Sequence, residues 1–297
     1  MFQTIIVGIE GRRSQDDEAL ALATRLGEPG AEIIATNVAI GHATVLGRSG
    51  ALDEGEAIVD AFTEPRVRTE GSVVQAESVG RGLRDVALGA RADLIVIASS
   101  RRGALGELFA GDAVRDVLHH APCPVAVATV GSGESGALRR IVIGYDGSGE
   151  SEAALVEAVR IARRDDADVS VVDVVEPMVQ AAANPGAWLG GSIDEQYAIA
   201  REQLDGLVER FGIRGVIAVG RAATELTDAS RGADLLAIGF REHGLLDRLL
   251  VGSTVNQLLH AQSASMLITP PDSGRPTVAD ALDNIPTRAP AAAGGTA

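Results

Sequence analysis

Apolar runs of strand length alternate with segments of helical period along most of the chain. The first run, FQTIIVGI at residues 2–9, is continuous rather than alternating, the pattern of a strand buried on both faces. A helical pattern follows over 16–26. Its opening acids Asp16, Asp17 and Glu18 suit the positive end of a helix dipole, and Gly27 marks its end. Residues 31–40, 73–77, 94–98 and 125–130 read as further strands, and 56–63, 82–89 and 112–120 as helices, with a Gly-rich loop at 41–55. Pro65 closes the first of these helices and Pro122 stops the last. The series then restarts. Strands at 140–145, 169–175, 216–219, 234–238 and 265–269 alternate with helices at 151–164, 193–211, 224–231 and 254–260. This alternation predicts an α/β fold, with mostly parallel sheets and helices on both faces.

The restart is a repeat. Asp93 and Asp234 stand 141 residues apart, and the same spacing joins Ile97 to Ile238, Gly111 to Gly252, Val114 to Val255, Leu118 to Leu259 and His119 to His260. Near the start of each copy the spacing is 136, joining Gly8 to Gly144, Glu10 to Asp146 and Gly11 to Gly147. A register that runs ungapped from strand through loop into helix marks two copies of one unit. The expected organisation is a first domain at 1–130, a linker at 131–138 and a second domain at 139–271, each domain an open five-stranded sheet. The linker holds the flexible sequence GSGESG, and residues 272–297, rich in Pro, Ala and Gly, read as a disordered tail.

Composition narrows the chemistry. Aromatic residues make up only 3% of the chain, so the cores must be built from Val, Ile, Leu and Ala. A net charge of −15 argues against broad contact with nucleic acid, which requires a positive face. The single cysteine, Cys123, excludes an internal disulfide and a cysteine metal cluster, and reads as a small buried residue. No apolar stretch reaches the roughly 18 residues that span a bilayer. Met1 leads within a few residues into a strand, with no signal segment, so a soluble cytoplasmic protein is expected.

The candidate site is the stretch 233–254, ADLLAIGFREHGLLDRLLVGST. A buried strand stops at Gly239, a loop carries Arg241, Glu242, His243 and Gly244, and Gly252-Ser253-Thr254 opens a helix. Backbone amides at a helix N-terminus, reached through glycines, form an anion site. The same residues also fit a plainer role: Gly239 and Gly252 as tight turns, Ser253 and Thr254 as helix caps, and Asp146-Gly147-Ser148 as a turn. His119, His120, His243 and His260 match no metal-ligand spacing and read as solvated or helix-end histidines. Asp165, Asp166 and Asp168 read as a solvated turn. No Gly-x-Ser-x-Gly elbow, Walker glycine-lysine sequence or His-Glu-x-x-His is present, so no catalytic residue is assigned.

Taken together, these motifs resemble the universal stress protein family, and the chain looks like a tandem member. The opening IVIGYDGS at 141–148 is similar to that family's start, as is HHAPCPV at 119–125 before the last strand. The glycines of 239–254 follow its nucleotide motif: Gly, two residues, Gly, nine residues, Gly, then Ser or Thr. The resemblance implies a fold like that of adenine nucleotide alpha hydrolases, Rossmann-like, with ATP across the carboxyl ends of the strands. Carried over by position, Gly144 and Asp146 would meet the ribose or adenine side and Val174 would line the adenine pocket. Ile238 and Gly239 would approach by backbone, and Gly252, Ser253 and Thr254 would hold phosphates.

The match is unequal between the copies. In the second, Glu242 stands where the motif has its second glycine, a carboxylate near phosphate that Arg241 or a divalent cation such as Mg²⁺ must offset. In the first, Ala98 and Arg101 replace the two glycines, Asp112 replaces the Ser, and Glu10 and Arg12 replace the Asp and Ser of the opening turn. The first copy is therefore expected to be a structural or regulatory half. The resemblance implies that the copies pair through their last strands, 125–130 and 265–269, and that the protein binds or senses ATP in a stress response. Two rivals stand beside it: a ligand-free interaction module of the same family, and a nucleotide-dependent enzyme on the same fold.

Overall fold

The computed structural model describes residues 2–11, 13–40, 68–99, 112–129, 136–176, 193–240 and 252–270. The first half contributes strands β1 Phe2–Ile9, β2 Gly27–Ile40, β3 Arg68–Ala76, β4 Leu94–Ala98 and β5 Val125–Ala128. Its helices are α1 Arg13–Leu26, α2 Val79–Ala90 and α3 Asp112–His120. The second half contributes β6 Arg140–Tyr145, β7 Asp168–Val175, β8 Arg214–Val219, β9 Leu235–Gly239 and β10 Ser265–Thr269. Its helices are α4 Gly149–Asp165, α5 Ile193–Phe211, α6 Ala222–Ala229 and α7 Ser253–Ala261. The expected loop at 41–55, the helix at 56–63 and the tail at 272–297 lie outside the described residues.

Several boundaries differ by a few residues from the sequence reading, and two of them have a clear physical reason. Helix α2 starts at Val79 rather than at residue 82, because Ser78 caps it, accepting from the Arg81 amide at 3.3 Å. Two of its glycines, which lower helix propensity, are required by packing: a Cβ on Gly80 would lie 2.3 Å from the Asp116 carbonyl oxygen of α3, and one on Gly82 would lie 2.6 Å from Val38 Cγ1. Strand β2 begins at Gly27, directly after α1, so that Phe2 pairs with Gly27 before the register shifts to Thr4 with Glu32.

The strands form one ten-stranded sheet in the order β3-β2-β1-β4-β5-β10-β9-β6-β7-β8. Pairing is parallel throughout each half. The exception is the seam, where β5 and β10 run antiparallel with Val127 opposite Met266 and Val125 opposite Ile268. This seam closes an edge that each half would otherwise expose. One apolar layer lies on each face and runs across both halves. Residues of α1, α4 and α5 pack on one face, and those of α2, α3, α6 and α7 on the other.

Both halves close the start of their first strand in the same way. Asp93 accepts from the amides of Gln3 (2.9 Å) and Thr4 (3.3 Å), and its counterpart Asp234 accepts from those of Arg139 (2.8 Å) and Arg140 (2.9 Å). Asp234 also takes the guanidinium of Arg25 from the other half at 2.8 Å. Arg164 reaches back across the seam to donate to the carbonyls of Arg25, Leu26 (3.2 Å) and Gly27 (2.6 Å), the otherwise open end of α1. Asp165 is no solvated turn residue: its side chain is 7% exposed, accepts from the Leu138 amide at 2.9 Å and holds Arg164.

Candidate functional site

Strand order reverses beside β6, which stands between β7 and β9 while the chain visits β7 and β8 before β9. The carboxyl ends of β6, β7 and β9 therefore frame the crevice where open α/β sheets bind ligands. Gly144 lies near the end of β6 opposite Ile238 of β9, and its open side is filled by Ile238 Cγ2 at 3.0 Å and Leu226 Cδ1 at 3.1 Å from an added Cβ. Val174 on β7 pairs with Ala218 and packs on the same face as Ile238. Gly239 ends β9 against the first turn of α4, where a Cβ would lie 2.5 Å from the Ser151 amide nitrogen and 2.6 Å from the Glu150 carbonyl carbon. Its lack of a side chain is thus demanded by helix–strand contact. Arg241 and Glu242 lie outside the described residues, as do His243, Gly244 and Trp188.

Asp146 follows β6 and organises the turn into α4. Its Oδ1 accepts from the Ser148 amide at 3.1 Å and from the Ser148 hydroxyl at 2.5 Å. Gly147 takes the left-handed φ of +73° that this turn requires, with Gln203 of α5 beside it. Ser148 then caps α4, accepting from the Ser151 amide at 3.2 Å. The turn role of Asp-Gly-Ser is therefore built into the structure.

A second carboxylate, which the sequence reading missed, stands one strand away. Asp173 on β7 is 7% exposed and sits opposite Tyr145 in the sheet. Burial and then the Asp146 carboxylate push its carboxyl up to about 6, while the Val174 amide opposes them. Burial, with the charges of Glu152, Asp146 and Asp173, also raises the Tyr145 hydroxyl above its ordinary value. Asp173 carried one signal: it is the single acid inside a run of Val and Ser from 169 to 175.

The opposite wall of the crevice is the start of α7. Gly252 is its N-cap, without a side-chain cap bond, and no acid stands in its first turn. The amides of Ser253 and Thr254 open a helix whose dipole is thus uncompensated by its own residues. Arg221, at the N-cap of α6, donates to Gln257 at 3.3 Å, and Gln257 donates to the Ser253 carbonyl at 3.2 Å, which brings a guanidinium to this turn. In the first half α3 opens with Asp112 itself. That half nevertheless keeps a cleft of about 260 Å³ at its own strand ends, lined by Thr36, Asn37, Leu83, Ile97 and Val114, with Glu10, Gln15 and Asp16 beside them.

The histidines are not all at the surface. Both ring nitrogens of His119 are buried, and its ring meets Phe240 edge-on at 6.3 Å. Among the described residues no group of three or more His, Cys, Asp and Glu side chains could hold a metal ion, and no helix is long and apolar enough to cross a membrane.

Comparison with known proteins agrees with the repeat. A model of the universal stress protein family matches residues 1–129 and again 137–270. Universal stress proteins of Mycobacterium bovis and Mycobacterium tuberculosis are each 29% identical over 185 residues, or 60% of this chain, and the match covers 61% of their own length. Among solved structures, a universal stress protein of Pseudomonas aeruginosa superposes with a TM-score of 0.66 at 16% identity, over 91% of this chain and 94% of the other. One from Archaeoglobus fulgidus gives 0.64 at 13% identity, over 90% and 96%. At these identities the superpositions speak for the fold.

Proposed function

The chain belongs to the universal stress protein family, with two family units in tandem, and we propose that its second half binds ATP across the carboxyl ends of β6, β7 and β9 as a sensor of cellular state under stress. The observation that carries this reading is the start of α7. An uncapped N-terminus behind Gly252, free of acids in its first turn and approached by Arg221, suits a phosphate chain. Asp146 and Val174, at the ends of neighbouring strands, would meet the ribose and adenine, with Ile238 and Gly239 lining the floor. Arg241 and a Mg²⁺ ion would offset the Glu242 carboxylate. The first half would act as the structural or regulatory partner. Its helix α3 opens at Asp112, the position that matches Ser253. Binding is the activity proposed, since the observation that carries the reading is an anion-receptive helix start. In the cytoplasm the nucleotide would be abundant.

The test is calorimetric titration of the full chain, stripped of carried-over ligand, with ATP in the presence and absence of Mg²⁺. Saturable heat, strengthened by Glu242→Gly, is the expected result. No heat at millimolar ATP for the wild type would leave the interaction module as the better reading.

A further inference from the structure

We propose that His119 positions the second half's crevice from across the seam: its ring, on the last turn of α3, holds Phe240, the residue that follows Gly239 at the end of β9. This role rests on nucleotide binding in that crevice, and it names a contact through which the first half takes part. His119 touches no ligand here; it is a positioning residue.

Phe240 is fixed by two contacts. Its amide donates to the Thr269 carbonyl at 2.8 Å, which extends the pairing of β9 with β10 by one residue. Its side chain is 1% exposed, and the His119 ring meets it edge-on, with centroids 6.3 Å apart and planes at 76°. That is a favoured geometry for paired rings. Gly239, the strand end expected to approach the nucleotide by backbone, is thus tied on its far side to the first half. One turn earlier on α3, Arg115 donates to Asn256, the fourth residue of α7. A single helix of the first half therefore braces both β9 and α7, the two elements that would carry the phosphate end of the site.

The repeat shows that this support runs one way. Ser99 stands 141 residues before Phe240 and makes the equivalent backbone bond, its amide donating to the Ala128 carbonyl at 2.9 Å. His260 stands 141 residues after His119. The counterpart of the ring contact would be His260 with Ser99, and serine offers no ring. His260 is exposed, and its Nδ1 lies 2.6 Å from the Asn256 carbonyl of its own helix. Divergence has thus kept an aromatic partner on the half with the better-preserved motif.

His119 acts here as a ring rather than through its nitrogens. Both are buried, and neither has a hydrogen-bond partner among the described residues. A buried N–H without an acceptor costs stability, so an apolar ring should serve at least as well.

The test is calorimetric titration of the full chain with Mg²⁺-ATP, comparing the wild type with His119→Ala, His119→Phe and Arg25→Ala, with the urea midpoint of each recorded. His119→Ala should weaken binding about three- to tenfold, the range that an aromatic edge contact carries. His119→Phe should return affinity to within about twofold of the wild type. Phe240→Ala should weaken binding as His119→Ala does, and the double variant should add little. Arg25→Ala breaks a seam contact at the amino ends of β6 and β9, so it should lower the urea midpoint and leave affinity unchanged. In the wild type, saturating Mg²⁺-ATP should shift the ring-proton NMR resonances of His119, since coupling is reciprocal. Unchanged affinity in His119→Ala, no rescue by phenylalanine, equal weakening by Arg25→Ala, or unmoved His119 resonances would each overturn the assignment while leaving the nucleotide site in place. No heat from the wild type would instead remove the nucleotide reading, and this role with it.

Discussion

Arg115 and Asn256 stand 141 residues apart at equivalent positions of the two halves, and they are hydrogen-bonded to each other. The guanidinium donates to Asn256 Oδ1 from two nitrogens, at 3.2 and 2.5 Å. In a pair of identical halves this contact would set Arg against Arg, or Asn against Asn. Divergence has made it complementary, and the Arg25–Asp234 and Arg164 contacts add to the same seam. The two halves are thus matched to each other rather than each to a second copy of itself.

Asn256→Arg should therefore destabilise the chain by about 1–3 kcal/mol, through repulsion and lost acceptance. The swapped double variant Arg115→Asn with Asn256→Arg should recover most of that loss, because the two sites form one pair. Urea unfolding midpoints of the three variants check this. A swap no better than the single change would contradict the pairing.

Asp173 gives a pH signature. Its carboxyl is raised in the folded state, from an ordinary 3.8 to about 6. The folded chain therefore binds this proton more tightly than the unfolded chain, and the group's contribution to stability falls as pH rises from near 4 through about 6. Asp173→Asn should raise the urea midpoint at about pH 7.5 and lose that advantage near pH 4. An equal effect at both pH values would mean that the carboxyl is not held in this way.

Two glycines beside the crevice should respond differently to a methyl group. At Gly239 the added Cβ meets the Ser151 and Glu150 backbone at 2.5 and 2.6 Å, and helix α4 must move. At Gly144 it meets only the tips of Ile238 and Leu226, at 3.0 Å and beyond, which can give way. Gly239→Ala should cost about 1–3 kcal/mol and Gly144→Ala less than about 1 kcal/mol, read by thermal unfolding. The first half carries Ala98 at the position of Gly239.

Much of this was legible in the sequence, for identifiable reasons. Continuous apolar runs marked the strands, since strands buried on both faces leave little freedom of composition. The 141-residue register marked the repeat, and the Gly252-Ser253-Thr254 start of α7 stood out because helix starts have a narrow vocabulary. What was not legible depends on contacts between distant segments. The start of α2 lies before residue 82 because Gly80 packs against the Asp116 backbone of α3, while Gly82 packs against Val38 of β2, contacts that local sequence does not contain. Asp165 looked like a surface acid until the Leu138 amide came to it from another segment. Asp173 passed as part of an apolar strand, because its environment is set by burial in the assembled sheet and then by Asp146 one strand away. Gly239 also needs its missing side chain for contact with the backbone of α4, a demand the sequence does not show.

The central claim is that the second half holds the nucleotide. Amide hydrogen exchange of the full chain, with and without saturating Mg²⁺-ATP, tests it by location. Protection should appear at the turn from β6 into α4, around Asp146 to Ser151, and in the first turn of α7 at Ser253 to Val255. The equivalent segments of the first half, around Glu10 to Asp16 and the first turn of α3, should exchange as before. Protection confined to the first half, or none in either, would contradict the account.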